Sequence, residues 1–235
     1  MRDPRRAPST DKLAPKAVVG RVSLYLRQLE AVRRQGVATV SSSQLGAALS
    51  INDAQVRKDL AFFGQFGHPG VGYRIEELIE ALRRILGIDR EWPLALIGLG
   101  NLGRALFKYR GFRDRGFNIV ALFDNDPKKV GQTHESMPIR PIEDLPEVVA
   151  RHQIGLAALA VPAEVAQRVA DQAVACGIAG ILNFAPMPLN VPDGVSVVAV
   201  DLSVQLEHLA YKVRNGRDRL TFPAPSFRTP APPLE

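Results

Sequence analysis

The stretch Pro93 to Leu106 reads PLALIGLGNLGRAL, an apolar run followed by the spacing Gly98-x-Gly100-x-x-Gly103 and then by residues of helical character. At a strand-to-helix turn these glycines have separate jobs. Gly98 permits the tight turn, Gly100 lets a pyrophosphate approach the backbone, and Gly103 lets the helix pack closely on the sheet. Phosphates would rest on the N-terminal end of that helix, where unpaired N–H groups favour negative charge. A second apolar run ends at Asp124, 21 residues beyond Gly103. There a carboxylate can accept hydrogen bonds from both hydroxyls of an adenine ribose and repel a 2′-phosphate. The pattern predicts binding of NADH or NAD through Gly98, Leu99, Gly100, Asn101, Leu102, Gly103 and Asp124.

Downstream, apolar runs alternate with helical spacing: strand 93–97, helix 101–110, strand 118–123, helix 143–152, strand 155–161, helix 163–176, strand 180–183 and strand 195–200. Such alternation predicts an α/β fold built on a Rossmann-like, doubly wound parallel sheet. Ligands of such sheets sit at the carboxyl ends of the strands. That adds Val161 and Pro162, and Asn183, Phe184, Ala185 and Pro186, to the expected cofactor contacts. A last helix, from Leu202 to about Val213, aligns Leu202, Leu206, Leu209, Ala210 and Val213 on one face, although the sheet could already be covered. It is expected to serve a partner subunit. The Pro-rich tail from Arg217 is expected to be disordered.

Upstream the charge changes. Residues 1 to 90 carry 15 Lys and Arg against 9 Asp and Glu, whereas the remainder carries 15 against 15. The excess points to a polyanion such as nucleic acid. After an aperiodic arm over residues 1–15, Val18, Val22, Tyr25, Leu26, Leu29 and Val32 share a helical face closed by Gly36. Ser41-x-x-Gln44 resembles a capping box for a short helix, and Ser50 or Asn52 would cap a third, DAQVRKDLAFF. Two short helices joined by a tight turn make a helix-turn-helix, whose second helix enters the major groove. Arg57 and Lys58 on that helix can donate to guanine O6 and N7, and Gln55 can read an adenine edge. Ser43, and His68 in the Gly-rich hairpin or wing GQFGHPGVGY, complete the expected DNA contacts. A fourth amphipathic helix runs from Ile75 to Leu86 and stops at Gly87.

Other chemistries find little support. The lone Cys176 excludes an intrachain disulfide and fits a reducing compartment, with packing as its simplest role. No apolar run approaches membrane-spanning length, and MRDPRRAPSTDKLAP lacks a hydrophobic signal core, so a soluble, cytoplasmic protein is expected. His134, His152 and His208 show no metal-ligand spacing, and His68 stands alone. A nicotinamide-dependent dehydrogenase needs a proton donor, commonly on a Tyr-x-x-x-Lys helix, yet none of Tyr25, Tyr73, Tyr109 or Tyr211 has Lys four residues on. The cofactor therefore reads as a sensed ligand. A small Rossmann-type enzyme or a CoA-binding protein is the rival reading.

From about Val18 to Arg214 the chain closely resembles the Rex family of redox-sensing transcriptional repressors, through QVRKDLAFFGQFGHPGVGY, IGLGNLGRAL, ILNFAP and VDLSVQLEHLAY. The resemblance implies a homodimer with winged-helix N-terminal domains, NAD(H)-binding C-terminal domains and an exchanged C-terminal helix inserted between the partner's two domains. It implies binding to pseudo-palindromic double-stranded operator DNA when NADH is scarce and release when NADH accumulates. It puts Arg57 and Lys58 on the recognition helix, Gly98 to Gly103 on the pyrophosphate and Asp124 on the ribose. Arg27, Tyr109 and Asp201 fall where the family switches polar partners between its two forms. Leu202 stands where some members carry a Phe that projects toward the partner's nicotinamide, and the arm before Lys16 has no obvious counterpart. The expected organisation is an arm at 1–15, a winged-helix domain at 16–88, a Rossmann-like domain at 89–200, a dimerisation helix at 201–216 and a tail at 217–235.

Overall fold

A computed structural model describes residues 14–68 and 70–216. The tail, Pro69 and all but the last two residues of the expected arm lie outside the described residues. The chain divides into two compact units: residues up to Trp92 together with Tyr109–Asn118, and Pro93–Lys108 together with residues from Ile119 onward.

The first unit, the head, runs α1 (Lys16–Arg33), β1 (Thr39–Val40), α2 (Ser42–Leu49), α3 (Asp53–Phe63), β2 (Gly67–His68), β3 (Gly72–Arg74) and α4 (Ile75–Ile85). The expected capping box forms: Ser41 Oγ accepts from the Gln44 N–H at 3.1 Å, and Gln44 Oε1 accepts from the Ser41 N–H at 2.8 Å. Of the two candidate caps for α3, Asn52 is used, its Oδ1 accepting from the Ala54 N–H at 2.8 Å. Ser50 instead ends α2 in the left-handed region, at φ 55°. The apolar faces of the four helices meet in one core of Val22, Tyr25, Leu26, Leu29, Leu45, Val56, Leu60, Leu78, Ile79 and Leu82. The wing hairpin is present, but β3 is the middle strand of a three-stranded antiparallel sheet whose other edge is β1, with Val40 opposite Tyr73. Sequence reading missed β1, because two residues carry no periodicity.

The chain continues through β4 (Trp92–Ile97), α5 (Asn101–Lys108), α6 (Arg110–Arg113), β5 (Phe117–Phe123), β6 (Thr133–His134), β7 (Met137–Arg140), a 3-10 turn (Ile142–Asp144), α7 (Leu145–His152), β8 (Leu156–Leu159), α8 (Ala163–Ala175), β9 (Gly180–Asn183), β10 (Ser196–Ala199) and α9 (Leu202–Gly216). Seven strands form one sheet in the order β10-β9-β8-β4-β5-β7-β6. The pairs β10/β9, β9/β8, β8/β4 and β5/β7 are parallel, and the edge strand β6 runs antiparallel to its neighbour. In the centre, Leu94, Ala95, Leu96 and Ile97 of β4 are all buried, as a strand covered on both faces requires. The fold is therefore a winged helix-turn-helix joined to a Rossmann-like sheet.

Further features depart from the sequence reading. The helix expected over 101–110 stops at Lys108, because Tyr109 adopts an extended conformation (ψ 102°) before α6. The β6–β7 hairpin was missed; its turn places Glu135 and Ser136 at positive φ with no glycine to announce it. Tyr109–Asn118 packs with the head, although it lies inside the stretch read as one nucleotide domain.

Candidate functional site

The order of strands reverses at β4: the chain proceeds to β5 and β7 on one side, then crosses back to lay β8 on the other. The crevice beyond the carboxyl ends of β4 and β8 is the ligand position such topology creates. A cavity of about 540 Å³ opens there, floored by Ile97, Gly98 and Gly100 after β4 and walled by Ala160, Val161 and Pro162 after β8. That volume lies within the range of about 300–1,000 Å³ usual for small-molecule sites.

Each glycine of the turn has the geometry its job demands. Gly98 has φ +97°, and a Cβ on it would strike the Ala160 carbonyl. A Cβ on Gly103 would run into the Gly98 carbonyl, so only glycine lets α5 start so close to β4. A Cβ on Gly100 would meet nothing within 4 Å, which leaves its backbone open to a ligand. The first turn of α5 presents the exposed Asn101 and Leu102 beside it, and both line the cavity. Leu99 turns its side chain into the core and contributes backbone alone. The vacant side of Gly100, the free helix end and the nearby acid fit the dinucleotide expected from the sequence.

Asp124 is braced before any ligand arrives. Oδ2 accepts from the Leu99 N–H at 2.8 Å and from Lys129 Nζ at 2.9 Å, and Oδ1 accepts from the Asp126 N–H at 2.8 Å. Burial alone would raise its pKa, but the Lys129 ammonium and the two backbone donors outweigh it and hold the carboxyl below its usual range. It stands ionised in the cavity wall. Lys129 and Arg168 also line the cavity and supply positive charge suited to a polyanion. Sequence reading missed both. Lys129 sits in the turn DNDPKK directly after the acid, and that proximity was the available signal.

The end of β9 is arranged differently. Asn183 is fully buried and spends its amide locally, donating from Nδ2 to the Met187 carbonyl at 2.8 Å and accepting at Oδ1 from the Ala185 N–H at 3.0 Å. Ala185 is buried, Phe184 half-buried and Pro186 exposed. None of the four lines the cavity. The polar atoms of the Asn183 side chain hold the strand-end loop.

In the head, Arg57, Lys58, Ser43 and His68 are all exposed. The Arg57 guanidinium donates to Asp53 at 2.6 Å and to Ser42 Oγ at 2.9 Å, and Ser43 Oγ lies 2.9 Å from Ser41 Oγ. The Asp53 carboxyl is lowered by Arg57, an exposed pair of modest worth. Gln55 is engaged within the head. Its Nε2 donates to Asp59 Oδ1 at 2.7 Å, which turns the side chain inward. Asp59, 2% exposed, also receives both nitrogens of the Arg21 fork, at 2.6 and 2.8 Å, and the Tyr25 hydroxyl at 2.8 Å. Burial would raise its carboxyl, yet Arg21, Tyr25 and Gln55 together hold it low. Burial and the Asp59 charge push the Tyr25 phenol up. The network fixes α3 against α1 and so sets the angle of the reading helix.

Of the residues implied by resemblance, Arg27 is exposed on α1, and Tyr109 is 58% exposed with its ring edge-on to Phe112. Asp201 caps α9, its Oδ1 accepting from the Ser203 N–H at 2.8 Å. Leu202 is 67% exposed, and Leu206 and Leu209 beside it are bare as well. Among the described residues no helix is long and apolar enough to cross a membrane, and no group of His, Cys, Asp and Glu is placed to hold a metal ion.

Family models match two successive parts of the chain. Residues 89–187 match the family described as "CoA binding domain", and residues 14–61 match "Putative DNA-binding protein N-terminus". The redox-sensing transcriptional repressor Rex of Pelotomaculum thermopropionicum is 49% identical, over 85% of this chain and 93% of its own. The crystal structure of RSP in complex with beta-NAD+ and operator DNA superposes with a TM-score of 0.83 at 35% identity, covering 88% of this chain and 95% of that one. The structure of RSP in complex with beta-NADH gives a TM-score of 0.79 at 34% identity, covering 88% and 97%.

Proposed function

This chain belongs to the Rex family of redox-sensing transcriptional repressors, and from that membership we propose that it binds operator DNA as a homodimer through its head and releases it when NADH fills the cavity beyond β4. One observation carries the reading: a single chain joins a helix-turn-helix head to a switch-point cavity, over the same span that superposes on a repressor solved once with NAD+ and operator and once with NADH.

In this reading Lys58 and Arg57 meet base edges or phosphates in the major groove, Arg57 exchanging Asp53 for the DNA. Ser43 and His68 contact the backbone or the flanking groove. Gln55 holds α3 in place through Asp59. Residues 98–103 cradle the pyrophosphate, and the remaining lone pairs of Asp124 take the adenine ribose. Val161 and Pro162 bound the cavity. Phe184 and its neighbours at the end of β9 provide the apolar surroundings that disfavour a charged, oxidised nicotinamide over the neutral reduced ring. NADH and NAD are sensed ligands, the relatives are named repressors, and the chain performs no redox turnover. The exposed apolar face of α9 is covered by the second copy, with Leu202, Asp201, Tyr109 and Arg27 at the switching contacts. The protein works in the cytoplasm.

A ligand moves a conformational equilibrium only by its differential affinity for the two states, so a tenfold release requires about 1.4 kcal/mol of NADH preference for the DNA-free arrangement. Gel shifts on a palindromic operator, titrated with NADH, NAD and CoA, test this. NADH is expected to raise the operator Kd and NAD and CoA to leave it unchanged. Operator affinity indifferent to NADH overturns the reading.

A further inference from the structure

The chain passes directly from the nucleotide site into the head. α5 begins at the Gly98–Gly103 turn and ends at Lys108, and the next residues, Tyr109–Asn118, pack with the head before the chain returns to the sheet unit at Ile119. What holds this excursion to the head is a buried acid. Glu30 of α1 is 9% exposed. Its Oε1 takes the Arg83 guanidinium of α4 at 2.9 Å, and its Oε2 takes the Arg115 guanidinium at 2.8 Å. Next to Arg115, the Gly116 carbonyl accepts from the Trp92 N–H at 2.7 Å. Removing either guanidinium would leave a sheltered carboxylate short of a partner, so the three side chains form one two-armed clip. Surface ion pairs such as Arg33–Glu76, exposed on both sides, have no comparable hold.

We propose that Glu30 and Arg115 are positioning residues for the NADH response: the clip makes 109–118 part of the head, so that any displacement of α5 caused at its N-terminal end is delivered to α1, which carries α3 through Asp59. This rests on the reading that NADH releases the operator. Neither residue lines the cavity beyond β4. Their contribution is to the coupling between the two affinities, a quantity that is reciprocal and typically about 5–150-fold.

The test uses the full-length protein. Operator Kd is measured without and with saturating NADH, and NADH Kd is measured separately, for wild type, Arg115→Gln, Glu30→Gln and Arg115→Lys. Arg115→Gln leaves Glu30 with Arg83, so the head stays folded, and a thermal melt checks it. Both single affinities are expected to stay near wild type in Arg115→Gln while the NADH-dependent ratio falls toward unity. Glu30→Gln should match it, and Arg115→Lys should recover part of the ratio. A wild-type ratio of unity overturns the functional reading itself. A normal wild-type ratio with an unchanged ratio in Arg115→Gln overturns this inference alone, as does loss of operator binding in every variant, which would reduce the clip to scaffolding.

Discussion

Helices α4 and α9 follow the same apolar periodicity and end in opposite environments. Ile75, Leu78, Ile79 and Leu82 of α4 are at most 2% exposed, whereas Leu202, Leu206 and Leu209 of α9 are 56–67% exposed. Both are helices because leucines recur at three- and four-residue intervals among strong helix formers. What differs is the cover. α4 finds α1 within its own chain, while α9 is exposed along its length among the described residues. An apolar stripe states that a face will be buried and leaves open by whom; in the proposed function α9 is a face for a second copy of this chain.

That contrast makes opposite demands on substitution. Replacing Leu206 and Leu209 together by Asp is expected to abolish the dimer and with it the simultaneous use of two half-sites. Operator affinity should fall about 10²–10⁴-fold, with the monomer's own unfolding nearly unchanged, as sedimentation and binding isotherms would show. A folded dimer in that variant would break the comparison. Leu82→Ala on α4 should do the reverse, costing about 2–5 kcal/mol of stability by chemical denaturation while leaving the folded fraction dimeric. Asp59→Asn probes the covered polar interior and should cost about 1.5–3 kcal/mol, the worth of hydrogen bonds to a charged group. Its effect is also pH-dependent. The folded carboxyl lies below the unfolded value of about 3.9, so the wild type carries the full benefit above that pH and loses it as pH falls through the folded pKa. The difference between acid melts of the two proteins should begin to shrink below about pH 4 and vanish only below the folded pKa. Ser41→Ala, removing one cap at an exposed helix start, is the mildest, at about 1 kcal/mol.

Much of the scaffold is legible in the chain because its signals are local. Ser41 and Gln44 announce a helix start, Gly87 ends one, and the run into Gly98 fixes the central strand. What escaped depends on distant partners. β1 is a strand only because Tyr73 lies opposite Val40. Gln55 carries the chemistry of a base reader, and only the fold reveals Asp59 within its reach. Asn183 looked available until the loop after β9 wrapped around its amide. Lys129 acquires meaning through its contact with Asp124, which no periodicity encodes. The glycine turn was readable at Gly98 and Gly103, where a Cβ would run into backbone and only one residue type fits.

The placement of β3 has a mechanical result. Its hydrogen bonds join the wing on one side to Thr39 and Val40 on the other, and Val40 leads straight into the capped start of α2. The wing strands and the start of α2 are thus tied together, and a duplex of unsuitable groove width would meet both at once. The strain then falls on the duplex, so flanking base pairs that no side chain touches will still be discriminated by how easily they deform.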